Sequence, residues 1–309
     1  MRRKKYLLSL LLALCLFLNG CGAAVPQVRS VPGAAFAETP ASYEPPPLAG
    51  VAFHEELAVW HDRVGIDLSA VSEGYVAVSA LSEHRLKFQV RKDDLTYNYD
   101  ISSDGTPSFF PLQCGDGQYT FRVMENISDN KYAQLCAAEC GVTLADEFQP
   151  FLRTSDYSRF DENSACVQKA ASLASSCTDG LEVVSKVYTF VCRNIRYDYE
   201  KAVSVQPGYL PDPDETLESG KGICFDYASL AAAMLRSQGI PTKIIFGYVA
   251  PNDLFHAWNM FYTEESGWVT VSFEVSGSSW NRIDLTFSAG GANSDFIGDG
   301  TNYTDVYFY

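Results

Sequence analysis

The hydrophobic pattern changes its period near residue 147, and that change limits the folds open to the chain. Up to about residue 146 the apolar residues alternate: Val76, Val78 and Ala80; Leu86, Phe88 and Val90; Tyr97, Tyr99 and Ile101; Tyr119, Phe121 and Val123. Alternation turns one face of a strand to a core. Asp93-Asp94, Asp104-Gly105 and Asp116-Gly117 supply turns between the runs. Short strands at this spacing predict a small all-β sandwich, Ig-like in architecture, over residues 51–146. Its first stretch, 51–64, reads as a short helix or strand. Its aromatics read as core, and no residue cluster in it suggests chemistry.

From Glu147 the period lengthens. Asn163-Ser164 caps a helix reaching to about Cys177. Asp179 caps a second, with Leu181, Val184, Val187, Tyr188 and Val191 on one face. Asn194 to Tyr199 reads as extended, and a loop with Pro207-Gly208, Pro211 and Pro213 follows. A third helix runs from Cys224 to about Gln238, with Leu230, Ala231, Met234 and Leu235 on its apolar face. Gly239 stops it and Pro241 prevents an immediate restart. Four strands are expected after it: Lys243 to Val249, His256 to Tyr262, Trp268 to Val275 and Trp280 to Phe287. Helices followed by antiparallel strands make residues 147–309 an α+β domain.

The N-terminus stands apart from both halves. Arg2, Arg3, Lys4 and Lys5 precede an apolar run, Tyr6 to Leu18, that is short for a membrane span. Leu18-Asn19-Gly20-Cys21 resembles the bacterial lipoprotein box. The resemblance implies a signal peptide over 1–21, cleavage before Cys21 and a lipid on its sulfur. The alternative is an ordinary secretory signal cut after Ala23 or Ala24. Residues 22–50, with Pro26, Pro32, Pro40, Pro45, Pro46 and Pro47, read as a flexible tether. The expected location is therefore the outer side of a bacterial cell membrane. A net charge of −15 repels nucleic acid and anionic membrane surfaces, so lipid rather than charge would hold the chain there.

Cysteine accounts for nine residues. Besides Cys15 and Cys21 they are Cys114, Cys136, Cys140, Cys166, Cys177, Cys192 and Cys224. An exported chain can form disulfides, and sequence does not assign their pairing. Cys136 and Cys140 lack the second pair that a metal site needs, and His54, His61, His84 and His256 are scattered. No metal or other cofactor is expected.

Cys224 opens its helix directly after Gly222-Ile223. The first turn of a helix carries unpaired N–H groups and a partial positive charge, which favour a thiolate and can hold an oxyanion. A cysteine so placed is in many proteins only a small buried hydrophobe. Chemistry needs a base beside the sulfur and a group that orients the base. His256 is the one histidine of the C-terminal half, at the start of a strand. Asp284 lies among apolar neighbours two strands on, where a buried carboxylate needs a partner. Asp226, in the first turn, reads as a cap. Gln206 and Tyr209, in the loop before Cys224, are candidates for the cleft wall or for an oxyanion donor, beside the backbone N–H of Cys224.

Gly220 to Ala228, Leu235 to Pro241, Gly247-Tyr248 and His256-Ala257-Trp258, in that order, resemble the core of the transglutaminase-like superfamily. The resemblance covers about residues 163–290. It implies a papain-like fold with Cys224 as nucleophile, His256 as base and an aspartate as orienter. Trp280 to Thr286 keeps Trp, Asp and Thr in register with the family's pattern, which selects Asp284, with Glu274 as the alternative. The activity so implied is attack on amide bonds of peptides or proteins outside the cell, cell-wall peptide among them, through an acyl-enzyme. Hydrolysis is favoured over protein cross-linking, and a non-catalytic peptide-binding module is the rival of another class.

Overall fold

The computed structural model describes residues 42–264, 267–268, 274–275, 279–291 and 301–309. The signal segment and Cys21 lie outside the described residues, as does the tether up to residue 41.

The first half consists of two four-stranded antiparallel sheets. One has the order β1-β2-β3-β6, from β1 (Val59–His61), β2 (Val64–Asp67), β3 (Tyr75–Ala80) and β6 (Ser108–Pro111). The other has the order β5-β4-β7-β8, from β4 (Leu86–Lys92), β5 (Leu95–Ile101), β7 (Gly117–Ser128) and β8 (Lys131–Val142). Alternation does what the sequence pattern requires: Leu86, Phe88 and Val90 are buried while the residues between them are only partly so. Phe88 meets Phe110 of the other sheet at 4.8 Å between ring centroids. Strand β3 departs from simple alternation, because all six of its residues are buried. Val76, Val78 and Ala80 face the space between the sheets, while Tyr75 and Ala77 pack with Val51, Phe53 and Phe109.

The second half follows the expected order with additions. Helices α1 (Ala165–Ala174) and α2 (Gly180–Asn194) come first, and Asp179 caps α2 by accepting from the Glu182 N–H at 2.8 Å. The cap of α1 comes from elsewhere. Its first N–H groups, on Ala165 and Cys166, donate to the Asp214 carboxylate at 2.9 and 2.8 Å rather than to Ser164. Strand β9 (Arg196–Tyr197) pairs in parallel with β10 (Lys221–Gly222). Between them, where a loop was expected, stand two short helices, α3 (Tyr199–Ser204) and α4 (Pro213–Ser219).

Helix α5 (Cys224–Arg236) is the hub. The expected apolar face proves to be the whole circumference, since every residue from Asp226 to Arg236 is buried. A helix enclosed on all sides must be apolar or small all round, which accounts for Ala231-Ala232-Ala233. Tyr227, Leu230, Ala231 and Met234 pack with α1 and α2. Ala228 and Ala232 belong instead to the cluster that fills the sandwich. Gly239, with φ of 77°, turns the chain out of the helix in a conformation that other residues rarely adopt.

The sheet beside α5 has the order β15-β12-β11-β16, from β11 (Thr242–Val249), β12 (Leu254–Thr263), β15 (Ser279–Ile283) and β16 (Tyr303–Phe308). The short pair β13 (Gly267–Trp268) and β14 (Glu274–Val275) lies between β12 and β15 in sequence. The strand expected over Trp280 to Phe287 ends early. Asp284 caps a new helix, α6 (Leu285–Ala289), by accepting from the Phe287 N–H at 3.0 Å.

Residues 42–50, read from composition as the end of the tether, lie along the folded part. The Tyr43 N–H donates to the Cys177 carbonyl, and Leu48 packs against the core of the helices. The disulfides that export would permit are not formed among the described residues, where all seven cysteines are free thiols.

Candidate active site

The approach to Cys224 is shaped by a glycine and an aspartate. A Cβ on Gly222 would stand 2.5 Å from the Asp226 Cβ, so a side chain there would push the two apart. What fills that space is a buried charge. Asp226 has 0% exposure. Its Oδ2 accepts from the Ile223 N–H at 2.7 Å, closing the first turn of α5 as the cap read from sequence. Its Oδ1 accepts from Lys201 Nζ at 3.0 Å and from the Tyr209 hydroxyl. Lys201 comes from α3 and Tyr209 from the loop behind it, so both are held by the segment that sequence reading left as coil. Burial, and then the hydrogen bond to Asp226, push the Tyr209 phenol well above its ordinary range. The Tyr209 hydroxyl is thus committed to Asp226, and the Gln206 amide donates to the Ser204 carbonyl at 2.8 Å.

On the sheet, β12 carries His256 opposite Gly247 of β11. The imidazole is 4% exposed, stacked on Phe287 at 4.6 Å and flanked by Trp258 at 6.1 Å. Its Nε2 lies 2.9 Å from Asp284 Oδ2, and the Cys224 thiol is the ring's other electrostatic neighbour. With Nε2 on the carboxylate, Nδ1 is the nitrogen left for sulfur. Burial by itself would lower the imidazole pKa. The hydrogen bond to Asp284, together with the neighbouring Cys224 thiol, outweighs it and raises the value to about 9.

Asp284 is fully buried and fully engaged. Oδ1 takes the Phe287 N–H, while Oδ2 takes His256 Nε2 and the Tyr303 hydroxyl at 3.0 Å. Tyr303 opens β16 and pairs with Val249. Cys224, His256 and Asp284, separated in sequence, therefore converge. Glu274, the alternative third member, lies on β14, and its side chain is outside the described residues. Sequence reading missed Lys201 and Tyr303. Tyr303 carries no motif; Lys201 is the third residue after Asp198, which caps α3 through the Lys201 N–H at 2.9 Å, and that spacing is a readable signal.

Six other cysteines are described. Burial pushes the thiols of Cys114, Cys136, Cys140, Cys166, Cys177 and Cys192 upward. Among the described residues no group of three His, Cys, Asp or Glu side chains is placed to hold a metal ion.

Residues 167–273 match the family model of the transglutaminase-like superfamily. Over 67 residues the chain is 33% identical to the UPF0252 protein of Methanocaldococcus jannaschii, a stretch covering 20% of this chain and 19% of that protein. Among solved structures, a candidate cysteine protease from Cytophaga hutchinsonii is similar over 75% of this chain and 73% of its own, at 14% identity and a TM-score of 0.41. Legionella pneumophila LapG is similar over 47% and 70%, at 18% identity and a TM-score of 0.33. Red sea bream transglutaminase is similar over 69% and 48%, at 13% identity and a TM-score of 0.33.

Proposed function

With residues 167–273 forming a transglutaminase-like domain, we propose that the chain is a thiol enzyme acting on amide bonds, with Cys224 as nucleophile, His256 as base and Asp284 as orienting carboxylate. One observation carries this reading: His256 stands 2.9 Å from a buried carboxylate, and the Cys224 thiol is near enough to its ring to help raise its pKa. An imidazolium facing a sulfur supports a thiolate nucleophile.

The thiolate attacks the amide carbonyl carbon, and the carbonyl π pair moves onto oxygen. The helix N–H groups at the start of α5, which have no intrahelical acceptor, hold that oxyanion. As the tetrahedral carbon collapses, the C–N bond breaks and His256 gives its proton to the departing amine or ammonia. A thioester on Cys224 remains. Water activated by neutral His256 then adds to the thioester and releases a carboxylic acid and the thiol. An amine in place of water would give a new amide, which is cross-linking. Hydrolysis is the reading adopted, on peptides outside the cell, with the chain tethered through lipid on Cys21.

The test is iodoacetamide labelling of the intact chain near pH 6, followed by peptide mass mapping. Burial raises the pKa of the other six described thiols, which slows their alkylation there, so Cys224 is expected to label first, and His256→Ala to slow it. A Cys224 no faster than free cysteine would sink the enzyme reading.

A further inference from the structure

A cavity of about 250 Å³ is walled by aromatic rings, among them Tyr209, Phe225, Phe246, Phe255, Tyr307 and Tyr309. The rings stand across one another rather than in a stack. Phe225 meets Phe246 at 4.8 Å and 77°, and it meets Tyr157 at 5.4 Å and 85°. Phe246 meets Tyr309 at 5.7 Å and 85°. Rings set nearly at right angles turn faces as well as edges towards a shared space. Phe255 and Tyr307 are 55% and 42% exposed, so the wall they form is open to a solute. The cavity is distinct from the proposed active site. Phe255 and His256 are neighbours on β12 and point to opposite faces of the sheet, and none of Cys224, His256 and Asp284 lines the cavity.

Charge in the cavity has one sign. None of its lining side chains is basic, and one, Asp100, is acidic. Asp100 is shared with Arg85 and Lys87 at 3.3 and 3.4 Å, and neither of those lines the cavity. Other polar groups are already used. Asn98 Oδ1 accepts from Gln89 Nε2 at 2.8 Å, and the Tyr209 hydroxyl is given to Asp226. The face of an aromatic ring is electron-rich and attracts a cation within about 6 Å of its centroid. Tyr209 does so within the molecule: Lys201 Nζ, balanced by Asp226, lies 4.4 Å from the ring centroid.

Size and chemistry then narrow the ligand. Pockets for drug-sized ligands begin at about 300 Å³, so this cavity suits a smaller group. A primary ammonium brings three N–H donors, each needing an acceptor, and the cavity has few to give. A quaternary ammonium brings none. It asks only for ring faces and negative charge, and both are here.

We infer that this cavity binds a quaternary ammonium group, such as that of choline, with Phe255 and Tyr307 at its mouth. Isothermal titration of the full chain tests it with three probes: choline, dimethylbutanol as its uncharged isostere, and ethanolamine as its primary counterpart. Choline is expected to bind about tenfold tighter than either of the others. Phe255→Leu and Tyr307→Leu, both at exposed positions, keep an apolar wall and remove a ring face. Each should weaken choline several-fold and leave dimethylbutanol little changed. Asp100→Asn should likewise weaken choline and spare the isostere. Glycerophosphocholine separates two sources of the same group. Binding as tight as that of choline assigns the cavity to a lipid headgroup, and weaker binding assigns it to a free solute. Equal binding of choline and dimethylbutanol, no binding of choline, or a choline affinity unmoved by both ring variants would overturn the inference. None of these outcomes bears on Cys224, whose alkylation is measured separately.

Discussion

Two buried carboxylates stand at the starts of two helices, Asp226 in the first turn of α5 and Asp284 ahead of α6, and each has 0% exposure. Each accepts a backbone N–H of its own helix start, from Ile223 or from Phe287. Each accepts a tyrosine hydroxyl, from Tyr209 or from Tyr303. Each faces one basic side chain, Lys201 for Asp226 and His256 for Asp284. The difference lies in that last partner. An ammonium gives a standing ion pair, which ties α3 to the start of α5. An imidazole can give and take a proton near neutrality, so the same surroundings suit the base proposed at His256. A buried carboxylate near the Cys224 thiol is therefore not by itself a sign of catalysis; its cationic partner decides.

The strongest way to break the comparison is to neutralise the two carboxylates in turn. Asp284→Asn should cut the rate of Cys224 alkylation and turnover by up to ~10⁴, the scale seen when an orienting carboxylate is lost. Asp226→Asn should leave the alkylation rate within about tenfold and instead cost about 2 kcal/mol in urea unfolding, because Lys201 loses its countercharge. Equal kinetic losses in the two variants would erase the distinction.

Proton linkage provides a second test. The folded His256 value of about 9 stands above its ordinary 6.5. The stabilisation from its partners is therefore complete below the unfolded value and is lost as pH rises through about 9. Urea unfolding of the wild type minus that of His256→Gln should show an advantage of about 3 kcal/mol near pH 6 that fades towards pH ~9.5. A difference independent of pH would mean that the histidine is not charged in the native state.

The smallest effects separate the two tyrosines. Tyr303→Phe and Tyr209→Phe should each cost about 1 kcal/mol of stability. Only Tyr303→Phe should also slow alkylation, by a few-fold, and shift its pH profile, since only Tyr303 shares an oxygen of Asp284 with His256. Matching pH profiles for the two variants would remove any positioning role for Tyr303.

Much of this arrangement is written locally in the chain. Asp179 caps α2, Cys224 opens α5, and the runs at Leu86 and Tyr119 alternate as strands, because each feature depends on residues within a turn or two. Helices α3 and α4 escaped because each is a single short stretch in loop-like composition. Asp212-Pro213 nevertheless carries a start signal, a capping aspartate followed by proline at the first helical position. The strand drawn through Phe287 failed for a related reason: Asp284 offers its carboxylate to the backbone N–H three residues on, and that cap turns a strand into a helix. The Lys201–Asp226 pair, the Tyr303 contact and the Asp214 cap on α1 were not legible. They join residues 19 to 49 positions apart, and only the folded topology brings them together.

The continuity of one core has a consequence for handling the molecule. Ala228 and Ala232 of α5, with Ile244 and Ala257 of the sheet, belong to the same buried cluster as Phe88, Phe110 and Phe121 of the sandwich. The change of composition near residue 147 is thus a seam in the sequence and not in the packing. A fragment cut there would carry a raw apolar wound on the helix that bears Cys224. Such a piece is expected to aggregate or to stay molten, and what it failed to do would say little about the intact chain.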